Sequence, residues 1–146
     1  MSDSHTQFRF STTAEVRWRD LDGLGHANNA VYFTYLEQAR VHYLQALGLY
    51  TTQAPSQVNI ILAEATCQFK SPLRLGEKVT IAICTSELRN SSFDFVYQIT
   101  GEDGRLVATA QTVQVCYDYQ HERPMRIPEP WRQAIVAYEP GLQSEP

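Results

Sequence analysis

The chain has 146 residues, 43% hydrophobic and 19% charged, with 12 Lys and Arg against 16 Asp and Glu, hence a net charge of −4. That is the composition of one soluble globular domain with a sizeable core, and it excludes a disordered tail or a fibrous repeat. A membrane span of ~18 apolar residues is excluded too, because Glu37 and Glu64 interrupt the longest apolar runs, and a mildly acidic chain with no basic run is not expected to bind nucleic acid.

Met1 to Gln7 has neither the basic start nor the apolar stretch of a signal peptide, so a cytoplasmic protein with reduced thiols is expected. Residues 8–18 alternate, with Phe8, Phe10, Ala14, Val16 and Trp18 on one parity and charged or hydroxyl residues on the other, which predicts a half-buried strand. Asp20 to Asn29 follows with two glycines and two asparagines, residues that tolerate positive φ, and reads as a polar loop. From Ala30 the period changes. Tyr32, Tyr35, Leu36, Ala39, Tyr43, Ala46 and Leu47 share one face of a helix covering about Asn29 to Leu47, with Asn28 or Asn29 as its N-cap and Gly48 as its stop.

Residues 57–70 alternate again, with Ile61, Ala63, Ala65, Cys67 and Phe69 on one face. Three more strands are expected over 78–88, 92–100 and 105–118, the last with Val107, Val113, Val115 and Tyr117 inward, and Asp103-Gly104 signals a hairpin between the final two. Prolines 124, 128, 130 and 140 bracket a short helix at about Glu129 to Ala137. Residues 1–146 form one domain, with 1–7 and 139–146 expected as flexible tails. Cys67, Cys84 and Cys116 fall in separate strands at spacings that make no metal or redox motif and are expected to be inert core residues. The order is strand, long helix, four strands: an α+β fold in which one helix covers one curved antiparallel sheet. The leftover edge and second face predict a homodimer or a dimer of dimers.

The densest polar cluster is Asp20, Asp22, His26, Asn28 and Asn29, immediately before the helix. The first backbone N–H groups of a helix lack intrahelical partners and suit a developing negative oxygen. One such donor contributes ~2.7–4 kcal/mol to an acyl-transfer transition state, against about 1 kcal/mol for an ordinary cap. Spacing alone leaves both readings open: a carboxylate beside an oxyanion donor, or a turn with a cap.

The stretch Val16 to Arg40, with Asp20-Leu-Asp22, the Gly-rich turn and Glu37-Gln-Ala-Arg40, resembles the signature of hotdog-fold acyl-CoA thioesterases of the 4-hydroxybenzoyl-CoA thioesterase type. Phe69-Lys-Ser-Pro72, Leu75-Gly76 and Ser86 to Phe93 extend the resemblance over residues 8–118. It implies a five-stranded antiparallel sheet wrapped around one long helix, active sites at a dimer interface, and hydrolysis of an acyl thioester to acid and thiol with no metal or redox cofactor. Asp22 then falls on the family's catalytic carboxylate, as nucleophile or as general base on water. The oxyanion amide lies seven positions on, at Asn29. Some relatives carry a histidine at that seventh position, whereas here the histidine is His26, at the fourth, where it would position the thioester, orient a water or close the loop. Asp20 is expected as a loop-fixing acceptor, and Tyr32 and Tyr35 as core. For substrate binding the resemblance points to Asn28 and to Arg89, which falls where relatives contact the nucleotide end of coenzyme A. Asn90 and Ser91 replace the basic residues beside it, so Lys70 or Arg74 would supply the remaining phosphate contacts. The implied substrate is an acyl-CoA. An acyl carrier protein donor, or an acyl-CoA-binding protein without turnover, are the competing readings.

Overall fold

A computed structural model describes residues 8–50 and 59–142. In chain order the elements are β1 (Phe10–Glu15), α1 (Asn29–Ala46), β2 (Asn59–Phe69), β3 (Lys78–Leu88), β4 (Ser92–Thr100), β5 (Leu106–Asp118), β6 (Arg123–Pro124) and α2 (Glu129–Tyr138), with a single 3-10 turn at Trp18–Asp20. The sheet is antiparallel throughout, in the order β1-β3-β4-β5-β2, with the two-residue β6 paired to β5. This is the expected α+β architecture, including the short helix near Glu129, with one two-residue strand added.

The inner face of the sheet is a set of rungs that cross all five long strands. One runs Phe10, Ile83, Tyr97, Ala110, Cys67, and the next Thr12, Ile81, Ile99, Ala108, Phe69. Against them α1 lays Tyr32, Tyr35, Leu36, Ala39, Tyr43 and Leu44, all buried. The helical period placed this stripe correctly except at its end, where Leu44 packs in and Ala46 stays exposed. Leu36 is 0% exposed, so truncating it to alanine would cost ~2–5 kcal/mol.

Both ends of α1 are set by local chemistry. At the start the Asn28 side chain accepts the Ala30 N–H at 2.9 Å. At the end Gly48 adopts φ +78, with Gly48 N–H bonded to Gln45 O and Leu49 N–H to Leu44 O. This pair of bonds closes the last turn and needs a residue at ease in the left-handed region.

Two strand faces differ from the alternation in the sequence, and bulges are the reason. A register shift between Leu62 and Glu64 leaves Ala63 unpaired, so Ile60 and Leu62, rather than Ile61 and Ala63, share the inner face with Ala65, Cys67 and Phe69. A second shift, at Val107, turns Ala108, Ala110, Thr112, Gln114 and Cys116 inward and sends Val113, Val115 and Tyr117 to the opposite face. Trp18 is likewise not part of the inward parity, because β1 ends at Glu15 and the 3-10 turn leaves the indole 78% exposed.

The C-terminal region also differs from expectation. Residues 139–142 are not a loose tail: Glu139 is buried, and its Oε2 accepts hydrogen bonds from the Tyr43 hydroxyl at 2.5 Å and the Thr85 N–H at 3.1 Å. This carboxylate fastens the end of α2 to α1 and β3, with Trp131 of α2 edge-on to Phe93. The expected tails 1–7 and 143–146 lie outside the described residues. Cys67, Cys84 and Cys116 are free thiols, and burial pushes Cys84 up to about 12 and Cys116 to about 11, so neither is a thiolate at neutral pH.

Candidate active site

The loop between β1 and α1 folds back on itself. Leu21 and Ala27 form an antiparallel bridge, Asp22 N–H bonds His26 O at 2.8 Å, and Gly25 takes φ +85 at the tip. Asp20 is the loop-fixing acceptor: it is buried and takes three bonds from Arg17, through the backbone N–H, Nε and Nη2. Burial pushes its carboxyl up, but the hydrogen bonds and charge of Arg17 outweigh this and hold it below its ordinary 3.8.

Asp22 is placed differently. Its Oδ1 accepts the N–H groups of Leu24 at 2.8 Å and His26 at 3.2 Å, and these bonds, Leu24 first, lower its carboxyl below 3.8. Among the described residues Oδ2 meets no hydrogen-bond donor. The side chain is therefore ionised at neutral pH and held by one oxygen.

Asp22, His26, Asn29, Tyr32, Lys70 and Pro72 border one cleft of about 280 Å³ at the first turn of α1. The three residues expected to carry the chemistry, Asp22, His26 and Asn29, are thus brought together. Asn29 is the first helical residue, and its N–H has no acceptor among the described residues, since the Asn28 side chain serves Ala30 and the Asn28 carbonyl serves Val31. No acidic side chain lies in the first turn of the helix, so the positive end of its dipole faces the cleft uncompensated by the helix itself. Asn28, expected at the substrate, has its side-chain oxygen engaged in the cap.

Arg89 does not border this cleft. It stands at the β3–β4 turn, where its guanidinium grips Asp94 at 2.8 and 2.9 Å and also reaches Glu87 and Ser92. Two arginines that the sequence did not single out converge there: Arg126 donates to the Asn90 side chain, and the buried Arg132 donates to the carbonyls of Arg89 and Asn90. Nothing in their sequence neighbourhood shows this convergence, which is made by the fold of β6 and α2 against the turn. Arg74 also lies away from the cleft lining, whereas Lys70 is part of it.

The wall opposite Asp22 has its own support, again missed in the sequence. Arg105, directly after the Asp103-Gly104 turn, donates to Ser71 Oγ at 2.8 Å, Pro72 O at 2.5 Å, both Glu77 carboxylate oxygens and Asp103. These bonds fix Ser71 and Pro72, which border the cleft, to the β4–β5 hairpin. The Ala27 N–H to Leu73 O bond at 2.9 Å ties the same wall to the Asp22 loop. Tyr32, expected as core, is buried and also borders the cleft.

An antiparallel sheet wrapped on one long helix, with a polar cleft at that helix's first turn, is the architecture of the hotdog enzymes that act on thioesters. Comparison with known proteins agrees: residues 16–135 match the thioesterase-like superfamily, and the chain belongs to it. Among its relatives are a 1,4-dihydroxy-2-naphthoyl-CoA hydrolase of Thermosynechococcus vestitus, 30% identical over 79% of this chain and 80% of that protein, and a chloroplastic acyl-acyl carrier protein thioesterase of Arabidopsis thaliana, 30% identical over 85% of this chain and 66% of that protein. The crystal structure of a thioesterase of Thermus thermophilus complexed with coenzyme A and Zn is 31% identical, with a TM-score of 0.77 over 91% of this chain and 96% of that one.

Proposed function

We propose that the protein hydrolyses acyl-CoA thioesters to the free acid and coenzyme A. In this reading the free oxygen of Asp22 drives attack on the thioester carbon, either directly or by taking a proton from water, and the Asn29 N–H receives the carbonyl oxygen as it gains charge. The coenzyme A thiolate leaves and is protonated; in the direct route water then cleaves the mixed anhydride on Asp22, which releases the acid and restores the carboxylate. The observation that carries the reading is the one-sided grip on Asp22: two N–H groups hold Oδ1, and the residue borders the same cleft as the start of α1.

His26 stands beside Asp22 in the cleft and closes the loop through its backbone. Its ring orients the thioester or the attacking water. Lys70 at the cleft, together with the exposed Arg126 beside Arg89, supplies the cations for the phosphate end of coenzyme A, while the buried Arg132 holds the backbone of that turn. Four of the Arg89 contacts already go to Asp94, Glu87 and Ser92, so we assign Arg89 to ordering that turn rather than to the main phosphate contact. Across a homodimer, that turn on one copy serves the cleft of the other.

The test is release of free thiol from a panel of acyl-CoAs by wild type and Asp22→Asn. An amide at position 22 can still accept the Leu24 and His26 N–H groups, so the loop is kept and only the reactive carboxylate is lost. We expect a drop of about 10²-fold or more in kcat. Equal rates would remove the proposal. Acyl carrier protein thioesters, run in parallel, decide between the two donors.

A further inference from the structure

Gln114 is a buried amide beside a largely apolar cavity. It sits on the inner face of β5, opposite Phe93 of β4 and Leu62 of β2, and is 1% exposed. Its Nε2 donates to the Phe93 carbonyl at 3.0 Å. That bond fixes which way the amide is turned, because the reverse orientation would set oxygen against oxygen. Oε1 is left as an acceptor and meets no donor among the described residues. A buried acceptor without a partner is costly to keep, and here a leucine would fill the same space without that cost.

The same residue borders a cavity of about 370 Å³ between α1, the sheet and α2, with walls that include Leu44, Leu62, Phe95 and Trp131 and to which Glu37 and Arg40 of α1 also contribute. The catalytic cleft meets β2 at Phe69, whereas this cavity meets it at Ile60 and Leu62. Along α1 the cleft ends at Tyr32 and the cavity begins at Glu37, five residues or about 7.5 Å of helix, so both lie along one groove between α1 and β2. An acyl group on a thioester at Asp22 has the cavity ahead of it. β2 is also an edge strand, and an antiparallel second copy across that edge sets the Phe69 end of one strand beside the Ile60 end of the other.

We propose that Gln114 is a specificity-determining residue: the cavity receives the acyl group of a thioester held at the Asp22 cleft, and Gln114 Oε1 accepts a hydrogen bond from a hydroxyl on that acyl group. The inference rests on the Asp22 cleft being the hydrolytic site. The shared chemistry is an otherwise apolar acyl group with one hydroxyl, carried either on a ring or on a chain. A site that hydrogen-bonds a substrate hydroxyl rejects the analogue lacking it much more strongly than an apolar pocket can reject a change of one methylene.

The test uses two matched pairs, 4-hydroxyphenylacetyl-CoA with phenylacetyl-CoA and 12-hydroxydodecanoyl-CoA with dodecanoyl-CoA. Wild type is expected to prefer the hydroxylated member of one pair by about tenfold or more in kcat/KM, and the pair that shows it tells ring from chain. Gln114→Leu should bring that ratio to about one, chiefly by gaining activity on the hydroxyl-free member, with Gln114→Met as the second variant if leucine impairs folding. Binding of the corresponding non-hydrolysable thioethers, followed by Trp131 fluorescence in a Trp18→Phe background, gives the same comparison without turnover. No preference in either pair, or a preference that survives both substitutions, overturns the assignment. Hydroxyl-selective binding without thiol release from any substrate would leave Gln114 as a recognition residue and refute the hydrolytic reading instead.

Discussion

Gly101 is the position where one added methyl group would act on the site from outside it. A Cβ there lies 2.6 Å from Glu77 Oε2 and 2.8 Å from Arg105 Nη1, and ordinary contact begins at 3.4 Å, so the carboxylate must retreat by about 0.8 Å (3.4 − 2.6). Glu77 and Arg105 meet through Nη1 and Nη2, and a shift of that size breaks at least one of these bonds and loosens the Arg105 hold on Ser71 and Pro72. Charge-assisted bonds contribute ~1.5–3 kcal/mol each. The Arg105 side chain is 31% exposed and that of Glu77 13%, so solvent takes part of this, and about 2–3 kcal/mol is the expected loss for Gly101→Ala. For a domain of this size that lowers Tm by about 4–12 °C. Thermal unfolding and kcat/KM are measured for Gly101→Ala, Arg105→Gln and the double variant. Because the alanine already dislodges the guanidinium, the double variant should be little worse than the poorer single one, and KM should rise more than kcat falls as the cleft wall loosens. Additive losses, or a Gly101→Ala melt within about 1 °C of wild type, would show that the Glu77–Arg105 pair does not feel the methyl group.

Asp22 is held below 3.8 by the Leu24 and His26 N–H groups, so in a His26→Gln background kcat/KM should stay level from about pH 7 to pH 5 and fall only below that; an acid limb inside the range would show that another group carries the chemistry. Glu77 is lowered from 4.5, first by its bonds to Arg105. A depressed carboxyl stabilises the fold above its unfolded value and loses that contribution as pH falls through its folded value, so denaturant titrations should show wild type losing more stability than Arg105→Gln below pH 4.5, and equal losses would contradict the pairing. Tyr43→Phe leaves the buried Glu139 with the Thr85 N–H as its remaining described donor. It should cost about 1.5–3 kcal/mol by urea unfolding, and a cost under about 0.5 kcal/mol would show that Glu139 does not depend on the phenol.

Much of this was legible in the sequence because the local signals agreed with the fold. The 3.6-residue stripe from Tyr32 to Tyr43, the Asn28 cap, the Gly48 stop and the Asp103-Gly104 hairpin are properties of neighbouring residues, and each element they predicted is present. The cluster Asp22, His26 and Asn29 was readable for the same reason, since one short loop and one helix start place all three. What escaped depends on contacts distant in the chain. Bulges at Ala63 and Val107 reverse the facing of two strands and have no marker such as glycine at the bulge itself. Glu139 read as tail because proline follows it, while its partners Tyr43 and Thr85 lie 96 and 54 residues away. Arg105, Arg126 and Arg132 belong to no motif in the sequence, and only the folded chain reveals the carbonyls and carboxylates they hold. Gln114 was hidden by the bulge: with Val113 and Val115 taken as inward, its own parity read as the outer face.

Turnover in the proposed mechanism depends on one peptide N–H, at the first residue of α1, to hold the charge that builds on the thioester oxygen. Proline at position 29 removes that N–H yet suits the first position of a helix, and Asn28 at φ −63 and ψ 138 already has the extended backbone that a following proline requires. The decisive comparison is kcat for thiol release by Asn29→Pro beside Asn29→Ala, each with its Tm. Near wild-type turnover is expected for the alanine variant and a fall of about 10²–10³-fold for the proline variant, with both folded. Proline turnover within a few-fold of alanine would mean that the Asn29 amide is not the oxyanion donor.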